Sequence, residues 1–246
     1  MVVKLLCSDL EKRVLKKLLP HLGVQKIMLV GGIAMRHHLL SSNINMPKVS
    51  GDEDIDIIAR NPSVVKKSIT KDFLIWHYHN HPNHERLPDD FYFAIVDSKE
   101  KCKVDIFDFK PYYPQESVDV KFGGVTLKMR TVEDQLVIGV LELARIMNDA
   151  TVEPKKTPEL IWLLQICDLE KVEKLWRTHP FNKWKTSFTE TLNNSINYIA
   201  SHPQLVLKNV PSKEIAQKKY SKCSVCLDSS DFPLAPLEKV KKALSK

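Results

Sequence analysis

The chain has 246 residues, of which 43% are hydrophobic and 27% charged, with five cysteines and a formal net charge of +7. This composition is typical of a soluble globular protein, and no apolar run approaches the roughly 18 residues of a membrane span, so we expect no membrane partner. The irregularly spaced, odd number of cysteines argues against a disulfide framework and favours a reducing, cytoplasmic location.

The basic excess favours an anionic partner such as a nucleotide or a nucleic acid. The lysine clusters at residues 12–17, 217–222 and 239–246 are interpreted equally well as solvated helix faces. Cys223 and Cys226 form a single C-x-x-C pair without a second pair or a nearby histidine, which predicts two ordinary thiols rather than a zinc site.

The N-terminal part of the chain alternates helical and strand patterns. Ser8 and Glu11 form a capping box before the first apolar stripe, and Asn61 offers an N-cap in front of a proline. Glycines at 123–124 are typical of a hairpin turn. The predicted elements, in order, are a helix at 8–23, a strand at 26–30, a helix after 32, a strand at 54–59, a helix at 62–72, strands at 73–79, 91–96 and 103–109, and a hairpin at 118–129.

The C-terminal part has a helical pattern only. Thr131 caps a long apolar-periodic helix, and proline-bounded helical segments follow at 158–179, at 181–202 and, more weakly, at 212–220. Trp162, Trp176 and Trp184 fall on these patterns as core residues. The fold class is therefore predicted to be α+β, with a mixed sheet flanked by helices over residues 1–130 and a helical-bundle domain over residues 131–246.

Glycines and acids occur in a suggestive order along the first predicted domain. Gly31-Gly32 stand between a strand and a helix, where backbone N–H groups can approach an anion such as a phosphate. Asp54 and Asp56 share one face of a predicted strand, about 7 Å apart at Cα, and repel each other unless a cation lies between them. Asp105 lies on a later buried strand and also needs a partner. Mg²⁺ prefers such hard oxygen ligands, so the pattern predicts a magnesium site.

The segments "LVGGIA", "EDIDII" and "VDIF" together resemble the nucleotidyltransferase superfamily, the DNA-polymerase-β-like fold. The layout is most similar to the abortive-infection AbiEii-type and minimal nucleotidyltransferases, specifically over residues 31–108 and loosely over 118–175. The resemblance implies a nucleotidyltransferase-type sheet and Mg²⁺-dependent transfer of an NMP from an NTP, ATP included, to a hydroxyl group. For toxin-type members it implies an acceptor on RNA (a tRNA end among them) or protein, and an antitoxin partner.

The resemblance also implies roles for individual residues. Asp54 and Asp56 would hold two metal ions, and Asp105 would hold the one that activates the acceptor hydroxyl. The triphosphate would contact Gly31, Gly32 and Ser50. Asp52, Glu53 and Asp108 are expected to stay outside the site, the last on the opposite face of its strand.

One basic residue of the AbiEii pattern is missing. Such proteins usually carry a lysine on the helix after the hairpin, and here that position falls near Gly139. Lys128 and Arg130 are nearby candidates for a phosphate contact.

Histidines cluster in "HYHNHPNHE", at His77, His79, His81 and His84. The first three share a strand face and could bind a transition metal, but partly exposed surface histidines, or residues that border the acceptor site, are the alternatives.

Two other functions remain open. The first is transfer to a small molecule of the aminoglycoside type, against which the positive net charge argues because such acceptors are cationic. The second is a catalytically silent module that binds nucleotides or nucleic acids.

Overall fold

The computed structural model describes residues 2–44, 54–59, 61–80, 91–108, 115–148, 156–180, 182–206 and 231–244. Within these ranges the chain is α+β, with one mixed sheet of eight strands and seven α-helices. The strands are β1 (Val3–Lys4), β2 (Ile27–Val30), β3 (Ile55–Ala59), β4 (Leu74–Asn80), β5 (Phe91–Asp97), β6 (Cys102–Asp108), β7 (Ser117–Phe122) and β8 (Val125–Arg130). The helices are α1 (Asp9–Leu18), α2 (Gly31–Ser41), α3 (Val132–Ala144), α4 (Lys156–Leu164), α5 (Leu169–Thr178), α6 (Phe188–Ser201) and α7 (Leu237–Leu244).

The sheet has the strand order β1-β7-β8-β2-β3-β6-β5-β4. At its centre β2 runs antiparallel to β3, and β3 runs parallel to β6. In this register Val30 is the partner of Asp56, and Asp56 is the partner of Asp105. Directly paired residues of neighbouring strands point to the same face, so the register brings two acids and the start of α2 together.

The other face of the sheet forms the main hydrophobic core. Ile55 and Ile57 of β3 are fully buried there, beside the alternating residues of β5 and β6. Helix α1 packs its apolar stripe on this core, and its capping box is present, since Ser8 and Glu11 each bond the other's backbone N–H. Period-2 alternation therefore places the acids of β3 and β6 on the face opposite to this core.

A second core lies between the helices. It joins Met35 and Leu39 of α2 to apolar residues of α3, α4, α5 and α6. Trp176 is its largest buried side chain, and its indole N–H donates to the carbonyl of Thr186 at 3.0 Å. Helix α2 contributes to both cores, so the helices of the C-terminal half are held against the site face of the sheet.

The last helix returns to the sheet. The N–H of Ala235 donates to the carbonyl of Ile75 at the free edge of β4, at 2.7 Å. Beyond it Val240 and Leu244 of α7 pack on the site face, against residues of β4 and β5 that include Tyr92. The lysine cluster at 239–246 was interpreted as a solvated helix face, whereas this helix packs on the sheet; β1 was not predicted. The division into domains at residue 130 stays a prediction.

Most predicted elements are present. The helical segment predicted at 158–179 is divided into α4 and α5, and the one predicted at 181–202 is helical only from Phe188. The helix predicted at 212–220 lies outside the described residues. The predicted helix at 62–72 is wrong: two 3-10 turns, Pro62–Val64 and Lys67–Lys71, take its place. Asn61 does cap the first turn, but Val65 forms a β-bridge with Leu22, which pulls the backbone out of the helical conformation. No helix in the described ranges is long and apolar enough to cross a membrane.

Candidate functional site

The turn from β2 into α2 gives the two glycines different roles. Gly31 has φ +62°, a left-handed conformation that favours glycine, and a Cβ there would overlap Oδ2 of Asp56 and lie 3.0 Å from its Cγ. An added Cβ at Gly32 would meet nothing within 4 Å. Gly31 therefore lets the backbone pass directly against the Asp56 carboxylate. The N-cap residue Val30 makes no capping hydrogen bond with its side chain, and the first N–H groups of α2, which have no partner within the helix, lie at this end of the sheet.

The structure brings the predicted acids to one face. Asp54 directly precedes β3, Asp56 lies within it, and Asp105 is the register partner of Asp56 on β6. Asp54 is more exposed than Asp105, with 32% of its side chain exposed against 11%. Asp108, three residues after Asp105, falls on the opposite face of β6, as the alternation predicts.

Two residues that the sequence did not single out hold Asp105. The ammonium of Lys103 lies 2.6 Å from Oδ2 of Asp105 and 3.4 Å from Oδ2 of Asp54. The hydroxyl of Tyr92 donates to Oδ1 of Asp105 at 2.9 Å. A signal was present in the sequence for each, because Lys103 shares the face of Asp105 at period 2, and Tyr92 is the hydroxyl-bearing residue of the apolar strand β5.

The donor set of this cluster fits a hard divalent cation. Three carboxylates on one face are the oxygen ligands that Mg²⁺ takes, and the Lys103 ammonium already lies between two of them as a positive charge. In the part of the chain that the structure describes, no three side chains of His, Cys, Asp or Glu are grouped closely enough to hold a metal ion. A metal would therefore require that the three acids move closer together and that the ammonium withdraws from between two of them.

A cleft of ≈ 370 Å³ opens beside the acids. Its sheet side includes Gly31, Asp56 and Phe107, and its helical side comes from α3 and α4, with Glu142 and Glu159 among its lining residues. This volume falls within the range of small-molecule sites, about 300–1,000 Å³. The strand-to-helix turn, one acid of the trio and the helical half of the chain thus meet in one cavity.

The position of the missing lysine is crowded by the side chain of Leu160. Gly139 lines the cleft where α3 passes α4, and a Cβ there would lie 2.5 Å from Cδ2 of Leu160. A lysine at this position would require the buried side chain of Leu160 to shift. Of the two candidates for its role, Lys128 pairs with Asp119 on the outer hairpin at 2.8 Å, half exposed, while Arg130 lines the cleft.

Arg130 is buried in a fixed arrangement at the start of α3. Its Nε lies 3.0 Å from Oδ2 of the fully buried Asp134. Burial raises the pKa of Asp134, against the opposing effect of the Arg130 charge. The carbonyl of Arg130 accepts from Nε2 of His38 at 2.8 Å, and burial lowers the pKa of this histidine. These contacts fix β8 and α2 relative to the helical wall.

The histidines of β4 lie behind the acids. His77 and His79 share a face, as predicted, and their Nε2 and Nδ1 atoms are 2.9 Å apart. Both rings contact the Tyr92 ring, with centroids 4.8 and 5.7 Å away. The expected partial surface exposure is wrong for this pair, since both are nearly fully buried against β5.

Several predicted residues lie outside the described residues. They are Ser50, Asp52, Glu53, His81, His84, Cys223 and Cys226.

No protein-family model matches the chain, and no curated protein matches it. Among solved structures it is similar to one described as an antigenic nucleotidyltransferase-like protein from Paracoccidioides brasiliensis. The two chains are 18% identical, and the match covers 91% of this chain and 99% of that chain with a TM-score of 0.43. A likeness of this size is too weak to assign a function to the chain.

Proposed function

We propose that this protein is a nucleotidyltransferase that moves an NMP from an NTP to a hydroxyl group. The observation that carries the proposal is the pairing of Asp56 with Asp105 across β3 and β6, with the Gly31 backbone against the Asp56 carboxylate. Glycine is needed at that turn because the acid occupies the space of a side chain, and this arrangement has no evident use in a purely structural sheet.

Each part of the site would have its own role in the transfer reaction, according to its position. The N–H groups of the first turn of α2 would donate to the phosphates of the NTP. Asp54, Asp56 and Asp105 would hold Mg²⁺, which when bound supplies charge stabilisation for the attacking and leaving oxygens. The acceptor oxygen would attack the α-phosphorus, and the bond to pyrophosphate would break. The α3–α4 wall, closely packed at Gly139, would limit water and orient the acceptor.

Asp105 would receive the proton of the acceptor hydroxyl only after a change in its contacts. In the structure one oxygen accepts from Tyr92 and the other contacts Lys103. Because both oxygens are engaged, one of them must be released from its partner before it can bind the proton of the acceptor, and release from Lys103 would come first.

The choice of acceptor depends on two charges, the net charge of the chain and the charge of the cleft wall. An RNA or protein acceptor, with toxin-like action and an antitoxin partner, is the leading expectation, and the net charge of +7 favours RNA. A specific observation favours the small-molecule alternative: Glu142 and Glu159 line the helical wall of the cleft opposite Asp56, and acids on this wall suit a cationic acceptor.

The test is incubation of the protein with α-³²P-labelled NTPs and Mg²⁺ in the presence of RNA, cell proteins or aminoglycosides. The wild type should label one of these fractions, and Asp56→Asn should not. If the wild type binds no NTP in a metal-dependent manner and labels no fraction, the chain is not a nucleotidyltransferase, and the silent binding module becomes the better account.

A further inference from the structure

Lys103 stands in the middle of the acid cluster, and its place follows from the sheet. It precedes Asp105 by two residues on β6, so the two side chains share a face. Lys103 directly precedes Val104, and Asp54 directly precedes Ile55, the register partner of Val104, so Lys103 and Asp54 lie side by side. The ammonium contacts Oδ2 of both acids, at 2.6 Å and 3.4 Å, and only 12% of the lysine side chain is exposed.

The cluster needs this charge when no other cation is bound. Neighbouring carboxylates on a partly buried face repel each other, and the desolvated charges are costly without a counter-ion. The ammonium of Lys103 offsets one negative charge and fixes Asp54 and Asp105 relative to each other. The short contact with Asp105 and the Tyr92 hydrogen bond leave that acid with both oxygens engaged.

The same contacts oppose a divalent ion. Mg²⁺ binds carboxylate oxygens at about 2.0–2.1 Å, and these oxygens are the ones that face the ammonium. A divalent ion and Nζ cannot occupy this space together, since they would also repel each other strongly at a few ångströms. Binding of the metal therefore requires the lysine to move.

We propose that Lys103 is the built-in counter-ion of the acid cluster, and that a divalent ion displaces its ammonium onto the phosphates of the incoming nucleotide. This inference rests on the proposed function and extends it with a positioning residue. Lysine suits the exchange because its compact charge stands on a flexible four-carbon stem with three donors. Arg130, a cation that lines the cleft, is held by Asp134, with Nε and Oδ2 3.0 Å apart.

The exchange couples metal to nucleotide. Metal alone must expel the ammonium from its contacts with Asp54 and Asp105, whereas metal with NTP also brings a phosphate that can receive it. The affinity for metal should therefore rise when NTP is present, and by linkage the affinity for NTP should rise equally with metal. In this way Lys103 would take the place of the lysine that is missing at Gly139, where Leu160 crowds any side chain.

The experiment titrates Mn²⁺, followed by electron paramagnetic resonance, into the full chain with and without a non-hydrolysable NTP analogue. Lys103→Met keeps the length of the side chain and removes the charge. It should bind Mn²⁺ alone at least about tenfold more tightly than the wild type, because even full solvent screening leaves a repulsion of this size between a unit charge and a divalent ion a few ångströms apart. The gain in Mn²⁺ affinity caused by the analogue should shrink by a similar factor.

Three further variants make the result specific. Lys99→Met changes the net charge equally at an exposed position of the preceding turn and should behave as the wild type. Lys103→Arg, which keeps the charge, should restore most of the coupling, and Lys103→Gln replaces Lys103→Met if the latter does not fold.

The inference is overturned if the neutral Lys103 variants bind Mn²⁺ alone no more tightly than the wild type. It is also overturned if the wild type and these variants all bind no Mn²⁺. Because these titrations of metal alone need no nucleotide, a wild type that binds Mn²⁺ but neither binds nor transfers an NTP refutes the proposed function and not the counter-ion role of Lys103.

Discussion

Gly31 and Gly32 stand side by side but should respond differently to substitution by alanine. Gly31→Ala puts a side chain at φ +62°, which costs about 1–2 kcal/mol for an L-residue. The new Cβ also overlaps the Asp56 carboxylate, and turning that side chain off its rotamer costs roughly 0.5–1.5 kcal/mol more. The free energy of unfolding should therefore fall by about 2–3 kcal/mol, or roughly 5–10 °C in Tm.

Gly32→Ala is the matched control, because its Cβ would enter open space in the first turn of a helix. It should leave the stability equal or slightly higher, since alanine is the better helix former. Urea unfolding followed by circular dichroism measures both variants. The double variant Gly31→Ala/Asp56→Ala should recover the part of the loss that comes from overlap with the carboxylate.

Nucleotide binding provides a second test of the difference between Gly31 and Gly32. Gly31→Ala should weaken Mg²⁺-dependent NTP binding because it displaces Asp56, whereas Gly32→Ala should weaken it little. Equal effects of the two substitutions on stability and on binding would refute the close approach of the Gly31 backbone to Asp56.

Two further predictions concern buried groups around the site. Asp134→Asn leaves the Arg130 charge buried without its carboxylate and should cost about 3 kcal/mol in urea unfolding, whereas Lys128→Met, which breaks an exposed pair, should cost less than about 1 kcal/mol; similar losses would contradict this account. Burial lowers the pKa of His37 from 6.5 to about 4, and its Nδ1 accepts the N–H of Leu6. The unfolded chain then binds more protons between these values, so stability should fall as the pH drops from about 6.5 to about 4. His37→Asn keeps an acceptor without titrating and should lose less stability over this range; an unchanged pH dependence in urea unfolding would contradict the assignment.

The sequence predicted those parts of the fold that depend on local signals. The capping box at Ser8, the hairpin at glycines 123–124 and the Thr131 cap are all present, because each is decided within a few residues. The helix predicted at 62–72 failed because a distant partner, Leu22, pairs with Val65. The packing of α7 was missed because its short apolar stripe can be recognised only against β4 and β5.

The same distinction applies to the site. Alternation along β3 was enough to predict that Asp54 and Asp56 share a face, but the pairing of Asp56 with Asp105 depends on the register of strands that lie far apart in sequence. The role of Lys103 depends on that register as well, since the local sequence around it is that of an ordinary lysine on a strand. Gly139 was noticed as a departure from the AbiEii pattern, and only the contact with Leu160 supplies its physical reason.

The central claim is that one face of β6 carries a metal-dependent nucleotide site, and Asp105 and Asp108 test it most directly. Both residues are 8% exposed, lie three positions apart on this strand and point to opposite faces. The measurement is binding of a fluorescent non-hydrolysable NTP at saturating and at zero Mg²⁺. Asp105→Asn should lower the Mg²⁺-dependent affinity by more than about tenfold, since even residues that only orient metal ligands contribute this much. Asp108→Asn should bind as the wild type does, and equal binding by all three proteins, or a loss confined to Asp108→Asn, would contradict the account.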